Sequence, residues 1–218
     1  MLNNKDTVIA FDMDGVLIDS KKSIFNALNS ALEIFDVPKL DGSQIELIGL
    51  PLIEMLDNAS KKQLSADQLQ TAMQKYRKVN NKNGPKEAKP YSDIPKVLES
   101  LSQRFKLVVV TSKLQTAATE LLCALELDKH FIGIFGAQED GKNESKSMIL
   151  SRAKSSLDSV RSFETKFLAL IGDRSSDITA AHEFKIKAVG ALWGYGTESE
   201  LAAADIKLSR PINLLTVF

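Results

Sequence analysis

The chain opens with an unbroken apolar run, Val8 to Phe11, which stops at two aspartates one residue apart, Asp12 and Asp14, followed by Gly15. A short run with no polar position reads as a strand buried on both faces. Beyond it the apolar spacing changes to three and four. Ile24, Leu28, Leu32 and Phe35 fall on one stripe of a 3.6-residue period, a helix that Asp19 or Ser20 can cap and that Val37-Pro38 ends. Ile45, Leu47 and Ile48 predict a short helix, which Gly49-Leu50-Pro51 breaks and restarts toward Leu52, Met55 and Leu56. Ser65 with Gln68 has capping-box spacing and opens a helix with Leu69, Met73, Tyr76 and Val79 turned inward. The next ten residues, NNKNGPKEAK (80–89), have no apolar period and contain Gly84-Pro85, so they read as a surface linker at a domain boundary.

From Tyr91 onward strands and helices alternate. A helix with Ile94, Val97, Leu98 and Leu101 precedes the strand KLVVVTS, and a helix through Leu114, Ala118, Leu121, Leu122 and Leu125 precedes a short strand from Ile132 to Ala137. A helix with Met148, Ile149, Ala153 and Leu157 leads to the strand FLALIGD. A helix with Ile178, Ala181 and Phe184 then leads to KAVGAL. Thr197 to Glu200 has the spacing of a second capping box, Asp205 to Leu208 reads as an edge strand, and a last helix starts at Pro211. Continuously apolar strands separated by helices imply right-handed crossovers and a parallel sheet covered on both faces. The expected fold is therefore α/β, a doubly wound parallel sheet built from residues 1–17 and 90–218, with a helical insert over residues 18–89.

Composition narrows the classes of function. The 218 residues are 44% apolar and 26% charged, which fits a globular chain, and 28 basic against 28 acidic residues offer no bulk attraction to nucleic acid or an anionic membrane surface. No apolar run approaches the ~20 residues of a membrane span, and the N-terminus lacks a signal pattern. The single cysteine, Cys123, reads as a small apolar group on a buried helix face and fits a reducing compartment, so a cytoplasmic protein is expected, as monomer or dimer.

Ligands of such sheets bind beyond the carboxyl ends of the strands, and the residues there share one chemistry. Asp12 and Asp14 follow the first strand. Thr111-Ser112-Lys113 follow VVV, where a hydroxyl and backbone N–H groups at a helix start suit an anion, although Thr111 also fits a plain N-cap. Asp173 and Asp177 follow FLALIG, four residues apart. Carboxylates about 4 Å apart repel by roughly 4 kcal/mol at an effective dielectric of ~20, so a shared cation is expected. Oxygen ligands without a His or Cys cluster favour Mg²⁺ over Zn²⁺. A lysine is available at Lys142 or Lys146, with position favouring Lys146. The stretch from Gly136 to Lys142 has P-loop spacing, but Asn143 replaces the metal-binding hydroxyl and Glu139 with Asp140 would repel phosphate.

FDMDGVLIDS, VVVTSK, a lysine at Lys146 and IGDRSSDITAA, in that order, resemble the motifs of the haloacid dehalogenase superfamily, phosphatase branch, and the chain is most similar to its phosphoglycolate phosphatase-like members. LIGLPLIEML and ALWGYG resemble the same branch. The resemblance implies a small helical cap closing over the site, Asp12 as nucleophile forming an aspartyl-phosphate, and Asp14 as acid and then base. It also implies Mg²⁺ held by Asp12, the Asp14 carbonyl, Asp173 and Asp177, and a phosphoryl group bound by Thr111, the Ser112 backbone and Lys146. The implied partner is a small phosphorylated metabolite. A sugar phosphomutase of the β-phosphoglucomutase type shares the same core and cap, and would need a second phosphate site in the cap. Arg77 is the residue there that reaches inward or, more simply, stays solvated. A catalytically silent binding protein is the remaining alternative, and the retained acids weigh against it.

Overall fold

The apolar run Thr7–Phe11 forms β1, and it lies inside a six-stranded sheet rather than at its edge. A computed structural model describes residues 7–138, 144–160 and 165–218. After β1 the chain crosses a two-residue strand, β2 (Ile18–Asp19), into the helices α1 (Lys21–Leu32), α2 (Leu52–Ala59) and α3 (Ala66–Glu87). It returns through β3 (Lys89–Pro90), which pairs antiparallel with β2. The remaining elements are α4 (Ile94–Ser102), β4 (Lys106–Leu114), α5 (Gln115–Ala124), β5 (Gly133–Ala137), α6 (Lys146–Val160), β6 (Lys166–Gly172), α7 (Ser175–Glu183), β7 (Lys187–Ala191), β8 (Ile206–Leu208) and α8 (Leu214–Val217).

The sheet order is β5-β4-β1-β6-β7-β8, and every pairing in it is parallel. Residues alternate between the two faces. Ile9, Phe11, Leu107 and Val109 join the core that includes α4 and α5, while Val8, Ala10, Val108 and Val110 join the core under α6 and α7. Both faces are therefore apolar, which is why the strands carry no polar alternation. The chain leaves β1 toward β4 and β5 and comes back on the other side at β6. That reversal opens a crevice at the carboxyl end of β1.

The helices α1 to α3 enclose their own core of Leu28, Ile48, Leu56, Ala72 and Tyr76. The capping box at Ser65 forms, with the Gln68 N–H donating to Ser65 Oγ at 3.3 Å and the Ser65 N–H to Gln68 Oε1 at 2.8 Å. The linker expected over 80–89 is instead the last part of α3, which runs through Pro85 to Glu87. A proline normally clashes with the Cβ of the residue before it, and Gly84 has none. Gly84 is buried beside Leu121 of α5, and the exposure of Asn81 leaves to water the carbonyl that Pro85 cannot serve.

Two further expectations change. Cys123 is exposed, because α5 turns Ala118, Leu121 and Leu122 inward. Half of the box at Thr197 forms, the Glu200 N–H donating to Thr197 Oγ1 at 3.1 Å, but the Glu200 carboxylate accepts from Arg174 Nε at 2.8 Å. The segment is a series of turns rather than a helix.

Candidate active site

Asp12 sits one residue beyond β1, its N–H donating to the carbonyl of Ile171 in β6 at 2.8 Å, so the sheet itself fixes its position. Asp173 follows β6 and Asp177 lies in the first turn of α7. One carboxylate oxygen from each of Asp12, Asp173 and Asp177 lies within 4.8 Å of the others, and all three residues are buried. At that separation each pair repels by roughly 3 kcal/mol at an effective dielectric of ~20. Lys146, the first residue of α6, answers part of this charge. Its Nζ lies 2.8 Å from Asp12 Oδ1 and 2.9 Å from Asp177 Oδ1, and it donates to the carbonyl of Val110 at 3.2 Å.

One ammonium against three buried carboxylates leaves an excess of two negative charges. Burial, opposed by Lys146 and reinforced by Asp177, raises Asp12 from 3.8 to about 6. Burial again, with Asp12 and Asp177, pushes Asp173 well above the carboxylate range. Burial also disfavours the charge on Lys146, but Asp12 and Asp177 overcome this and hold its pKa above the ordinary lysine value. Asp173 Oδ2 accepts from the Tyr195 N–H at 2.7 Å, while Oδ1 is buried with no hydrogen-bond partner. An orphaned buried oxygen within an over-acidic, all-oxygen group fits a hard divalent cation. Asp14 stands apart from that group. Its Oδ2 pairs with Lys113 at 3.2 Å, and its Oδ1 is buried without a partner.

Gly15 makes the turn between Asp12 and β2, with φ +88°, and a Cβ there would collide with the Asp173 carboxylate. The turn thus needs glycine twice over, for its conformation and for the close approach of Asp173.

The family model for haloacid dehalogenase-like hydrolases matches residues 9–191. The chain belongs to this family. It is 31% identical over 211 residues to the phosphoglycolate phosphatase of Aquifex aeolicus, covering 95% of this chain and 94% of that protein. It is 30% identical to a 5'-nucleotidase of Pseudomonas aeruginosa, with 89% and 86% covered. Among solved structures, a predicted phosphatase from Clostridium acetobutylicum superposes with a TM-score of 0.86 at 28% identity, covering 97% of each chain.

Of the expected residues, Asp12, Asp173, Asp177 and Lys146 lie in one buried cluster, and Asp12 also borders a cavity with Asp14. Thr111 and Ser112 line the same cavity as Asp12 and Asp14. Thr111 is not a helix cap, since β4 continues to Leu114 and α5 starts at Gln115; its Oγ1 accepts from the Lys113 N–H at 3.2 Å. The carboxylate of Asp14 is not one of the clustered three, so only its backbone is left for the metal role assigned to it. Lys142 and most of the P-loop-like stretch lie outside the described residues; within it, Gly136 meets a packing demand, because a Cβ would strike the backbone of Lys113 and Gln115.

The side-chain contacts of Lys113, Arg174 and Tyr195 were not expected from the sequence. Lys113 was accessible by parity, being two residues beyond Thr111 on an extended strand and hence on the same side. Tyr195 gave no local signal. Its hydroxyl accepts from the N–H groups of Ser20 and Lys21 at 2.8 and 3.0 Å and donates to Asp19 at 2.9 Å, capping α1 from 174 residues away.

Proposed function

We propose that this haloacid dehalogenase-like hydrolase is a Mg²⁺-dependent phosphatase that cleaves a small phosphomonoester through an aspartyl-phosphate on Asp12. The observation that carries the reading is the buried group of Asp12, Asp173 and Asp177, neutralised in part by Lys146 and left with an unpartnered oxygen on Asp173. The names of the relatives, a phosphatase and a nucleotidase, support it.

Asp12 attacks phosphorus through a carboxylate oxygen, and the bond from phosphorus to the alcohol oxygen breaks. Asp14, anchored through Oδ2 by Lys113, uses its other oxygen to give a proton to the departing alkoxide. Water then attacks the phosphorus of the aspartyl-phosphate while Asp14 takes back a proton, releasing inorganic phosphate and restoring Asp12. Lys146 holds Asp12 ionised and in place, and it meets the charge on the phosphoryl oxygens together with Thr111 and the Ser112 backbone. Asp12, Asp173, Asp177 and the Asp14 carbonyl would hold Mg²⁺, which would supply positive charge against both the carboxylates and the phosphoryl group.

Residues 18–89 act in this reading as the cap. The cavity beneath it, lined by Asp12 and Asp14, has a volume of about 160 Å³, which suits a small phosphorylated metabolite. No helix among the described residues is long and apolar enough to cross a membrane, and the lone cysteine fits the cytoplasm. The deciding experiment measures phosphate release from an aryl phosphate and from a panel of phosphorylated metabolites, with Mg²⁺ and with chelator. Asp12→Asn and chelation should each abolish release from a folded protein, and turnover by Asp12→Asn like that of the wild type refutes the reading.

A further inference from the structure

One short stretch of the sheet domain, Trp193 to Gly196, touches both the acid group and the insert. Its main chain belongs to the acids. The Tyr195 N–H donates to Asp173 Oδ2 at 2.7 Å, and a Cβ on either Gly194 or Gly196 would strike Asp173. Trp193 ties the same stretch to the turn after Asp14, its Nε1 donating to the Val16 carbonyl at 3.0 Å. The stretch has no slack against Asp173, so a shift of that carboxylate carries Tyr195 with it.

The side chain of Tyr195 leaves this layer. Its ring packs against the core of the helical unit, whose other members all lie between Ile24 and Val79. Its hydroxyl accepts from the N–H groups of Ser20 and Lys21 at 2.8 and 3.0 Å and donates to Asp19 at 2.9 Å. The first amides of a helix need acceptors from outside it, which a serine before the helix ordinarily supplies. Ser20 stands in that place but makes no such bond, and its buried hydroxyl has no partner among the described residues. The start of α1 is therefore held from the other domain, by a residue whose main chain rests on an acid of the site.

We propose that Tyr195 is a positioning residue that couples the occupancy of the acid group to the seating of the insert. A carboxylate is a rigid plane. When the acid group holds its cation the plane of Asp173 is fixed, Oδ2 then fixes the Tyr195 main chain, and the hydroxyl fixes the first turn of α1. The insert is held in register over a loaded site and sits more loosely over an empty one. The inference rests on the Mg²⁺ reading of the acid group and deepens it by giving occupancy of that group control over the insert.

The test is amide exchange in wild type, Tyr195→Phe and Asp173→Ala, each in chelator and in saturating Mg²⁺, with calorimetry to report Mg²⁺ binding. The reporter is Ile24, whose N–H closes the first turn of α1 on the Ser20 carbonyl at 3.0 Å, read beside Asp177 of the acid group. In wild type Mg²⁺ should slow exchange at Ile24 about fivefold or more. In Tyr195→Phe it should still slow exchange at Asp177 and leave Ile24 unchanged. A merely structural tyrosine would leave the variant faster in both conditions but equally slowed by Mg²⁺. Equal slowing at Ile24 in the two proteins, or none in a wild type that binds Mg²⁺, overturns the proposal. Should wild type bind no Mg²⁺, the metal reading fails, and the link is judged without metal. Asp173→Ala removes the acceptor of the Tyr195 N–H, and exchange at Ile24 in chelator should quicken about fivefold or more; an unchanged rate refutes the link. The same variant decides if Tyr195→Phe fails to fold or to bind Mg²⁺, because loss of one carboxylate relieves the crowded acids rather than straining them.

Discussion

Arg174 of the sheet domain donates through its guanidinium to the backbone carbonyl of Ile48 in the helical insert. The same side chain donates to the carbonyl of Glu46 at 3.2 Å and is braced by Glu200 at 2.8 Å. Arg174 directly follows Asp173, and Ile48 directly precedes the Gly49-Leu50-Pro51 wall of the cavity. One residue therefore ties the position of the insert to the acid group.

Arg174→Met should lower kcat/KM about tenfold or more, since hydrogen bonds from a charged donor are worth about 1.5–3 kcal/mol. Amide exchange at Leu47, Ile48 and Leu50 should accelerate, and Arg174→Lys should not restore protection, because an ammonium cannot reproduce the guanidinium fork. Unaltered exchange in Arg174→Met would show that the contact restrains nothing.

Removal of the lysine charge should be costly. Lys146→Met leaves three buried carboxylates without a counter-ion, a loss of about 3–5 kcal/mol for a broken buried pair. Chemical denaturation in chelator measures it, and added Mg²⁺ should narrow the gap to wild type. A gap that is the same with and without Mg²⁺ would place the cation elsewhere.

The acid group also gives the metal-free protein a pH dependence. Asp12 titrates near 3.8 when unperturbed and at about 6 in the fold. The folded state thus holds its proton more tightly than the unfolded state does, and its ionisation costs stability as pH rises from about 4 through about 6. Asp173, shifted in the same direction, adds to the slope. In chelator at pH 8, Asp12→Asn should be at least as stable as wild type, with a shallower decline between pH 4 and 6. A clear loss of stability in that variant would contradict the assignment of charge.

Tyr195→Phe should cost about 1–3 kcal/mol in denaturant melts, because the buried Ser20 N–H loses its acceptor. Lys21 keeps Asp19 as a second acceptor at 3.2 Å. A stability within experimental error of wild type would mean that water replaces the hydroxyl at no cost.

The doubly wound sheet and the acids at its strand ends were legible because both are written locally, in apolar runs that end in aspartate. Asp12, Asp173 and Asp177 needed only the rule that strand ends converge, whereas the choice of Lys146 over Lys142 drew on the resemblance to the haloacid dehalogenase superfamily. Pro85 misled, since Gly84-Pro85 was read as a break, although a glycine before proline lacks the Cβ that makes a helical proline costly. Tyr195 and Arg174 act across 126 to 175 residues of chain, and no local pattern announces such contacts.

The chain enters and leaves the helical unit through one antiparallel pair, Ile18 beside Pro90 and Asp19 beside Lys89. Paired backbones of this kind lie about 5 Å apart, so the two ends of the insertion could be joined by a short turn without disturbing β1 or α4. The acids at the strand ends and the helices of the insert thus occupy separable stretches of sequence. Exchange of residues 20–88 for another helical module offers a lineage, or an engineer, a route to a new substrate that leaves every acid at the strand ends untouched.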